Sequence, residues 1–329
     1  MFDLVAGFCH SQILQAIVEF KIPNMLLEHE LDAATLGRET DVPQDRMAVL
    51  LSGAMAIGIL KRRRSGRYAL TTRGAALAGV PGLAGMVSHH DVLYLDLADP
   101  VSFFRGEVET ELAEFWPYVF GANGASDPKV VAQYSALMSD SQALVADDTL
   151  ACVSLDGVSR IMDVGGGTGA FLAAVGASNP DIAMTLFDLP AVAPAAQTRF
   201  EDLGMGDRLT IAPGSFRDDE LPGGADMISL VRVLYDHSDD TVRALLRSVH
   251  AALPEGGRIL VSEPMTGGAK PQRAGDAYFA LYCMAMRTGK ARSGAEIATL
   301  LAEAGFEEIQ TPAARRPFIT SVVSGVRAG

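Results

Sequence analysis

A glycine-rich stretch, IMDVGGGTGAF at positions 161 to 171, carries the strongest chemical signal in the sequence. An apolar pair leads into a carboxylate, Asp163, and glycines then occupy every second position at Gly165, Gly167 and Gly169. A loop with so few side chains lets backbone amides approach a ligand, because a Cβ atom there would hold the ligand away. Nicotinamide dinucleotides and S-adenosyl-L-methionine are the two cofactor classes that use loops of this kind.

The glycines match both cofactor templates, and the neighbouring acid discriminates between them. Gly165, Gly167 and Ala170 fit the dinucleotide pattern G-x-G-x-x-A, whereas Asp163 followed by alternating glycines fits a methyltransferase loop. Asp163 would oppose an anionic pyrophosphate, but it suits S-adenosyl-L-methionine, which carries an ammonium and a sulfonium and no phosphate. Asp188, in LFDLP, ends the next predicted strand, where a carboxylate can accept both ribose hydroxyls of either cofactor. The pattern therefore favours a methyltransferase.

The rest of the chain predicts two domains, which its 329 residues can accommodate. Strands alternate with helices from about residue 155, as is typical of an α/β domain with a parallel sheet. The predicted strands are RIMDV, AMTLFDL, LTIAPG, ADMISLVRV, GRILVSEP and the C-terminal ITSVVSGV. We therefore predict an α/β domain with a parallel sheet over residues 121–329 and a mostly helical domain over residues 1–120.

The N-terminal pattern indicates a winged helix. Asp32 is placed to cap one helix, and Pro43 to occupy the first turn of the next. Two short strands, GIL and RYAL, then flank the basic sequence KRRRSG at residues 61–66. Such a wing raises the hypothesis of nucleic-acid binding, but the second helix, RMAVLLSGAMAIGI, is apolar nearly all round and lacks side chains that read bases. We predict instead a homodimer built through SQILQAIVEF and RMAVLLSGAMAIGIL, and no nucleic-acid partner.

The composition narrows the partners and the location. A net charge of −13 and a pI of about 4.9 argue against a nucleic-acid binder. Three cysteines, Cys9, Cys152 and Cys283, lack the spacing of a metal site or a disulfide framework. The longest apolar stretch, Met47 to Leu60, is too short to span a bilayer, and Asp3 stands where a signal peptide carries positive charge. An anionic membrane would also repel so acidic a chain. We predict a cytoplasmic protein with no metal and no membrane span, and a membrane-held substrate would require peripheral contact.

Several further motifs, taken in order, carry a family resemblance: FDLP, PGSF at 213–216, RVLYDHSDD at 232–240, PEGGRILVSEP at 254–264 and GKARSGAEIATLLAEAGF at 289–306. With DVGGGTG and the winged helix, they resemble the small-molecule O-methyltransferases, a family that includes plant caffeate-type enzymes and bacterial relatives. The resemblance covers nearly the whole chain. It implies a Rossmann-like methyltransferase domain, a winged-helix dimerisation domain and S-adenosyl-L-methionine as the cofactor. The predicted cofactor-binding residues are Asp163, Gly165, Gly167, Gly169, Asp188, Leu189, Ser215, Phe216 and Arg232.

The sequence departs from the family at the catalytic positions. The family has His-Asp-Trp, with the histidine as general base, where this chain has YDH, so Tyr235 stands in place of the base. Glu263 matches the family's first supporting glutamate, but Ala291 replaces the second, and Ser215 replaces the acid that contacts adenine. The pair of residues that deprotonates a phenol is therefore incomplete.

A less acidic acceptor explains these departures. A phenol has a pKa of about 10, within reach of a histidine base, whereas an aliphatic alcohol is far less acidic. Methyl transfer to an alcohol must rely on alignment in a dry pocket, with the proton leaving late. We predict that Tyr235 orients the hydroxyl and that His237 or Glu263 takes the proton. Structural roles stay open at this point: Tyr235 as pocket wall, His237 as a surface residue and Glu263 as a capping group.

Within the family, the chain resembles most closely the branch that methylates the tertiary 1-hydroxyl of acyclic carotenoids such as hydroxyneurosporene and demethylspheroidene. The likeness rests on RVLYDHSDD, HHDVLYLDLADPVSFFRGE and FWPYVFG. The residues predicted to line a pocket for this hydrophobic small molecule are Trp116, Tyr134, Met138 and Met284. Three alternatives stay open: methylation of a phenolic or polyketide metabolite, a nicotinamide-dependent oxidoreductase, and a cofactor-binding protein without catalytic activity.

Overall fold

The computed structural model describes residues 1–115 and 141–329, which divide into two units, Met1–Tyr94 and Leu95–Gly329. Residue 120, where the sequence pattern places the domain boundary, lies outside the described residues. Within the second unit, the Asp96 carboxylate accepts from the Glu111 amide at 2.6 Å. This hydrogen bond links two segments of the second unit that both precede its sheet in the chain.

Among the described residues, the first unit contains six helices, most of a seventh that ends just beyond it at Asp96, and a two-stranded antiparallel sheet. The helices are α1 (Phe2–Val5), α2 (Gly7–Glu19), α3 (Ile22–Met25), α4 (Ala33–Thr40), α5 (Gln44–Ala56), α6 (Thr72–Gly79) and α7 (Leu83–Asp96). The strands are β1 (Leu60–Arg62) and β2 (Tyr68–Leu70). The α2 to β2 segment has the helix and wing order that the sequence predicts.

Local sequence signals explain where these elements begin. The Asp32 side chain accepts from the Thr35 amide at 2.8 Å, which confirms Asp32 as the N-cap of α4. Pro43 is the N-cap of α5 and lies one position before the first turn in which it was expected. The first wing strand also differs from GIL: Gly58 has a φ of +79°, a left-handed turn, so the strand begins at Leu60.

The second unit is a seven-stranded sheet covered by helices. Its strands are β3 (Arg160–Val164), β4 (Ala183–Asp188), β5 (Leu209–Pro213), β6 (Met227–Val231), β7 (Arg258–Glu263), β8 (Phe306–Gln310) and β9 (Ser321–Arg327). Its helices are α8 (Pro100–Phe104), α9 (Glu111–Phe115), α10 (residues 141–150), α11 (Ala170–Ser178), α12 (Ala193–Asp202), α13 (Asp239–Ala252), α14 (Ala280–Met286) and α15 (Gly294–Glu303). A π-helical turn, Arg273–Phe279, runs directly into α14.

The strand order is β5-β4-β3-β6-β7-β9-β8, with β9 antiparallel to both of its neighbours and the other pairs parallel. This is the Rossmann-like α/β arrangement that the alternation of strands and helices predicts. The chain moves outward from β3 through β4 to β5, and then returns to the other side of β3 as β6. Ligands of open α/β sheets bind at such a reversal point, at the carboxyl ends of the strands. The loops after β3, β4, β6 and β7 are therefore the candidates for the site.

Strand β8 was not predicted. It lies at the edge of the sheet, its pairing with β9 shifts register between Glu307 and Gln310, and Glu308 has a φ of +48°. Both glutamates are exposed, so the segment shows no regular alternation of apolar and polar residues. Sequence periodicity cannot identify a short, irregular edge strand of this kind.

The exposed apolar side chains of the first unit concentrate at its N-terminus. Phe2, Leu4, Val5 and Phe8 have relative exposures of 80%, 72%, 62% and 70%. By contrast, the inward residues of SQILQAIVEF and RMAVLLSGAMAIGIL are buried within the unit: Ile17, Val18, Met47, Leu51 and Ala54. The longest run of exposed apolar side chains therefore lies in α1 and the start of α2, and the predicted segment RMAVLLSGAMAIGIL also exposes Val49, at 73%. Among the described residues, no helix is long and apolar enough to cross a membrane.

We expect the N-terminal apolar surface to support self-association. Changing Phe2→Ser and Phe8→Ser together should raise the dimer dissociation constant by at least about 100-fold, because burying each phenyl ring is worth about 2 kcal/mol. Analytical ultracentrifugation measures this. The control is Phe104→Ser with Phe318→Ser, two phenylalanines of the second unit that are 63% and 61% exposed. A double variant that sediments like the wild type would contradict the assignment.

Candidate active site

The glycine loop after β3 is left-handed at each alternate position. Gly165, Gly167 and Gly169 have φ values of +70°, +58° and +73°, which other residues rarely adopt. A Cβ atom on Gly165 would come within 3.0 Å of Val233, and one on Gly169 within 2.9 Å of Phe200. At Gly167 no atom of the described residues lies within 4 Å of that position. Two of the glycines are thus required by packing, while Gly167 borders open space that a ligand can use.

Asp188, at the end of β4, holds this loop in place. Its Oδ2 atom accepts from the Gly167 amide at 2.7 Å, and its Oδ1 atom accepts from the Leu189 amide at 2.7 Å. Burial raises the pKa of Asp188, and the two amide hydrogen bonds oppose that rise. Each carboxylate oxygen can accept more than one hydrogen bond, so acceptor capacity remains for hydroxyl groups of a ligand.

Asp163 lies beneath the loop. It is 1% exposed, and its Oδ1 atom accepts from the Ser229 hydroxyl at 2.6 Å across the β3–β6 pair. Its Oδ2 atom has no hydrogen-bond partner among the described residues, and burial raises the pKa of Asp163 to about 7. A Cβ atom on Gly166 would come within 2.5 Å of that oxygen. Gly166 is therefore required by Asp163, a constraint that the alternate-glycine pattern does not reveal.

Ser215 and Phe216 follow β5. The Ser215 amide donates to Asp219 at 2.8 Å, and the Ser215 hydroxyl donates to Asp218 at 2.9 Å, which closes the turn. The Phe216 ring contacts the His237 ring edge to face, with 5.2 Å between centroids. The β5 loop and the β6 loop are therefore in direct contact.

Arg232, the first residue after β6, has a φ of +60° although it is not glycine. Its amide donates to the Ser262 carbonyl at 2.7 Å, and its Nη1 atom donates to the Ser141 hydroxyl of α10 at 2.7 Å. Non-glycine residues with a left-handed backbone conformation are frequent at functional sites, where the surrounding contacts hold them in that conformation. The structure thus fixes Arg232 between β7 and α10.

His237 is buried, at 7% exposed, and lies beside Arg217. The two side chains are joined by a hydrogen bond of 3.0 Å between Arg217 Nη2 and His237 Nδ1. Because a guanidinium can only donate, Nδ1 is the acceptor and the ring hydrogen is on Nε2. Burial, together with the Arg217 and Arg292 charges, lowers the pKa of His237 to about 4. This ring is neutral with its lone pair engaged, which argues against both the surface role and the role of proton acceptor.

Glu263, at the end of β7, is fully buried. Its Oε2 atom accepts from the Tyr235 amide at 3.2 Å, while its Oε1 atom has no hydrogen-bond partner among the described residues. Burial raises the pKa of Glu263 to about 7, and the charge of Arg292 opposes the rise. A carboxyl with a pKa near the working pH and one uncommitted oxygen has the properties of a general base.

Tyr235 and Asp236 lie beside Glu263. Burial raises the pKa of the Tyr235 phenol, so this side chain stays protonated and donates rather than takes a proton. Burial also raises the pKa of Asp236 to about 8; Arg232 opposes the rise and the charge of Glu263 adds to it. Sequence reasoning passed over Asp236, although it stands between two residues that were selected. The buried Cys283 thiol faces the same charges, and burial raises its pKa as well, so it stays protonated.

Arg292 is 0% exposed and braces the loop after β6. Its Nη1 atom donates to the Leu234 carbonyl at 2.8 Å, and its Nη2 atom donates to the His237 carbonyl at 2.9 Å. Its Nε and Nη2 atoms also donate to Asp239 Oδ1, at 2.9 and 2.7 Å. Sequence reasoning missed this role because a lone arginine ahead of a helix reads as a surface charge.

The predicted substrate pocket is described only in part. Trp116, Tyr134 and Met138 lie outside the described residues. Met284 is 48% exposed, whereas its α14 neighbours Cys283 and Met286 are buried. Met284 therefore lies on the more exposed side of α14, and its place in the substrate pocket stays a prediction. Among the described residues, no group of three or more His, Cys, Asp or Glu could hold a metal ion.

Comparison with protein families and known proteins agrees with this geometry. An O-methyltransferase domain model matches residues 94–307, and an O-methyltransferase dimerisation domain model matches residues 2–79. The chain is 56% identical to demethylspheroidene O-methyltransferase from Cereibacter sphaeroides, over 99% of this chain and 86% of that protein. It is 53% identical to the protein of the same name from Rhodobacter capsulatus, over 99% of this chain and 81% of that protein.

A solved structure shares the fold. Human N-acetylserotonin methyltransferase in complex with SAM superposes with a TM-score of 0.85, at 23% sequence identity. The match covers 99% of this chain and 96% of the human protein. Both the helical unit and the sheet thus have a counterpart of known structure.

Removing the Asp188 carboxylate should weaken binding of S-adenosylhomocysteine by at least about 100-fold, since each charge-assisted hydrogen bond is worth about 1.5–3 kcal/mol. Isothermal titration calorimetry of Asp188→Ala measures the loss. Asp202→Ala, which removes an exposed carboxylate from α12, is the control and should bind like the wild type. Unchanged affinity in Asp188→Ala would exclude Asp188 from the site.

Asp163→Asn should gain stability relative to the wild type as the pH rises. The pKa of Asp163 is about 7 in the folded protein, above the value of about 3.9 for an unfolded aspartate. The stabilising contribution of the protonated carboxyl is complete below about pH 4 and is lost as the pH rises through 7. Asparagine stays neutral, so the difference in melting temperature between variant and wild type should grow between these limits and then level off. A difference that is constant with pH would contradict the raised pKa.

Proposed function

We propose a reaction for this chain from the premise that it belongs to the O-methyltransferase family, which uses S-adenosyl-L-methionine as the methyl donor. The reaction is transfer of that methyl group to the tertiary 1-hydroxyl of an acyclic carotenoid. The observation that carries the proposal is the 56% identity to a demethylspheroidene O-methyltransferase over 99% of this chain. The family's histidine base is suited to phenols, whose hydroxyls are more acidic than those of aliphatic alcohols. This chain has Tyr235 at the position of that histidine.

The loops after β3 and β4 fit the methyl donor. Asp188 has acceptor capacity for two ribose hydroxyls, Gly167 borders open space, and Asp163 places a carboxyl beneath the loop. Leu189, Ser215 and Phe216 would complete the nucleoside side. When bound, the cofactor supplies an electrophilic methyl group on a sulfonium, and no metal is needed for that chemistry.

Proton removal is the step for which this chain's own residues must provide. As the alcohol oxygen would bond to the methyl carbon, the methyl–sulfur bond would break and S-adenosylhomocysteine would leave. The hydroxyl proton would then become strongly acidic and need an acceptor nearby. We assign that role to Glu263, whose Oε1 atom is buried and uncommitted among the described residues and whose pKa is about 7. Tyr235 stays protonated beside it and orients the acceptor oxygen as a hydrogen-bond donor. His237 supports the loop through Arg217.

The remaining rate enhancement comes from holding the reacting groups in the correct orientation. The loop that bears Tyr235 is held by Arg292 from within the protein, so the orientation of Tyr235 does not depend on solvent-exposed contacts. The residues around it, Val233, Leu234 and Met286, are buried and apolar. A dry site of this kind strengthens electrostatic interactions and keeps water from competing for the methyl group.

The assembly follows from the dimerisation domain, and we propose a homodimer. A cytoplasmic location and a peripheral contact with the membrane that holds the acceptor are part of the same proposal. Product analysis with labelled methyl donor tests the acceptor: acyclic 1-hydroxycarotenoids should gain one methyl group per molecule. Methylation of phenolic or polyketide acceptors alone would replace the carotenoid proposal with that alternative.

Glu263→Gln should lower turnover by about 100-fold or more, because a general base contributes roughly 10²–10⁴ to the rate. Glutamine keeps an acceptor for the Tyr235 amide, so binding of S-adenosylhomocysteine should be unchanged. In the wild type, activity should rise with pH through an apparent pKa near 7 as Glu263 ionises, and the variant should lack this limb. Single-turnover assays across pH 5.5–9 measure both effects (about two pH units on either side of that pKa).

Two comparison variants make the assignment specific. Tyr235→Phe and His237→Ala should each lose about 10-fold or less, as expected for an orienting or supporting contact. If Tyr235→Phe or His237→Ala instead loses about a thousandfold while Glu263→Gln retains turnover, Glu263 is not the proton acceptor.

A further inference from the structure

The charge of the chain is distributed very unevenly. Residues 46–90 contain no Asp or Glu and seven Lys or Arg, in a chain whose net charge is −13. Five of these cations lie within the hairpin of residues 60–70, which we call the basic hairpin: Lys61, Arg62, Arg63, Arg64 and Arg67. All five are exposed. A local concentration of one sign against the sign of the whole protein indicates a surface with a specific anionic partner.

The basic hairpin is rigidly attached to the first unit. Leu60 and Tyr68 are buried at 2% and 7%, and Tyr68 exchanges backbone hydrogen bonds with Leu31. The turn is closed by the Arg63 amide donating to the Arg67 carbonyl at 2.8 Å. Its cations are therefore presented from a fixed platform, and little conformational entropy is lost when they bind together.

Few of these cations are neutralised within the protein. Arg63 forms an ion pair with Glu30 at 2.7 Å, and it is the only residue of the hairpin that does so among the residues the structure describes. Arg62 packs over the Tyr68 ring, 5.9 Å from its centroid. Lys61, Arg64 and Arg67 carry exposed charge without an ion pair among the described residues. These three are the residues available to an external anion.

We propose that the basic hairpin docks the enzyme on anionic lipid headgroups. This proposal rests on the proposed function, because an acyclic carotenoid is confined to a membrane and the enzyme must come to it. The net negative charge of the whole chain would oppose an anionic membrane, but that repulsion is screened beyond about 8 Å at physiological salt. The charges nearest the membrane then determine whether the protein is attracted to it, and at the basic hairpin those charges are positive.

The competing partner is a nucleic acid, since wings of this shape contact phosphates. Helix α5, which would have to enter a groove, buries Met47, Leu51 and Ala54 and carries a single basic residue, Arg46. It presents no set of polar side chains that could read bases. The hairpin thus has the electrostatics of a phosphate-binding surface without the recognition helix that specific nucleic-acid binding requires.

Vesicle flotation with the full chain tests the proposal. The wild type should bind phosphatidylcholine vesicles that contain phosphatidylglycerol and should not bind vesicles of phosphatidylcholine alone. Binding should be strong at about 0.1 M salt and lost at about 1 M, where the screening length falls from about 10 to about 3 Å. Each basic residue near an anionic surface contributes roughly fivefold, so Lys61→Ser, Arg64→Ser and Arg67→Ser combined should weaken binding by about 100-fold.

A matched control separates the surface from the net charge. Arg105→Ser, Arg247→Ser and Lys270→Ser remove the same charge from exposed positions of the second unit and should leave vesicle binding unchanged or weaken it slightly. Equal loss in both triple variants, or no binding by the wild type, would overturn the proposal. Tight binding to a DNA duplex that exceeds binding to vesicles would replace it with the nucleic-acid alternative.

An activity assay distinguishes this proposal from the proposed function. With the carotenoid in neutral detergent micelles, the hairpin variant should methylate as fast as the wild type, and with the carotenoid in anionic vesicles it should be slower by about the loss in binding. If the wild type binds anionic vesicles through the hairpin but methylates no carotenoid in either form, the proposed function fails and the docking surface stands. If micelle activity is normal and vesicle binding is absent, the docking surface fails.

Discussion

The Asp188 carboxylate joins two loops that lie 21 residues apart in the chain, and the cofactor half of the site depends on that contact. One oxygen fixes the Gly167 amide and the other fixes the Leu189 amide, so the carboxyl ends of β3 and β4 share one anchor. A loop of left-handed glycines has many accessible conformations when unfolded, and ordering it costs entropy. Hydrogen bonds to a charged group offset part of that cost and leave the loop in the form that a nucleoside needs.

Three buried acidic residues constrain the part of the site to which we assign catalysis. Asp163, Asp236 and Glu263 lie at strand ends or just beyond them, and burial raises the pKa of each to about 7 or 8. Such residues reduce stability once they are ionised, because a buried charge loses its hydration. Arg292 supplies an opposing positive charge for Glu263, and Arg232 does so for Asp236. Arg292 also fixes the loop that carries Tyr235. One buried cation thus both opposes the burial cost of Glu263 and holds the loop of Tyr235.

The altered catalytic positions form a consistent arrangement. A His237 held by Arg217, a protonated Tyr235 and a Glu263 oxygen without a partner among the described residues fit the proposed transfer of a late proton, whereas a histidine base removes a proton early. This matches an acceptor whose hydroxyl is too weakly acidic to be ionised beforehand. The proposed acceptor thus accounts for the departures from the family pattern without loss of activity.

Much of the fold could be predicted from the sequence, because those parts depend on local chemistry. The glycine loop, the cap at Asp32 and six strands of the main sheet follow from backbone conformation and periodicity, which depend on neighbouring residues. Strand β8 escaped because an irregular edge strand has no periodicity to detect. The tertiary structure alone decided that His237 is buried beside Arg217 with a lowered pKa and that Arg292 is buried. Those properties depend on partners that are distant in the chain, since Arg217 lies 20 residues before His237 and Arg292 lies 55 residues after it. A side chain's charge and exposure are set by what packs against it, and only the folded chain brings those groups together.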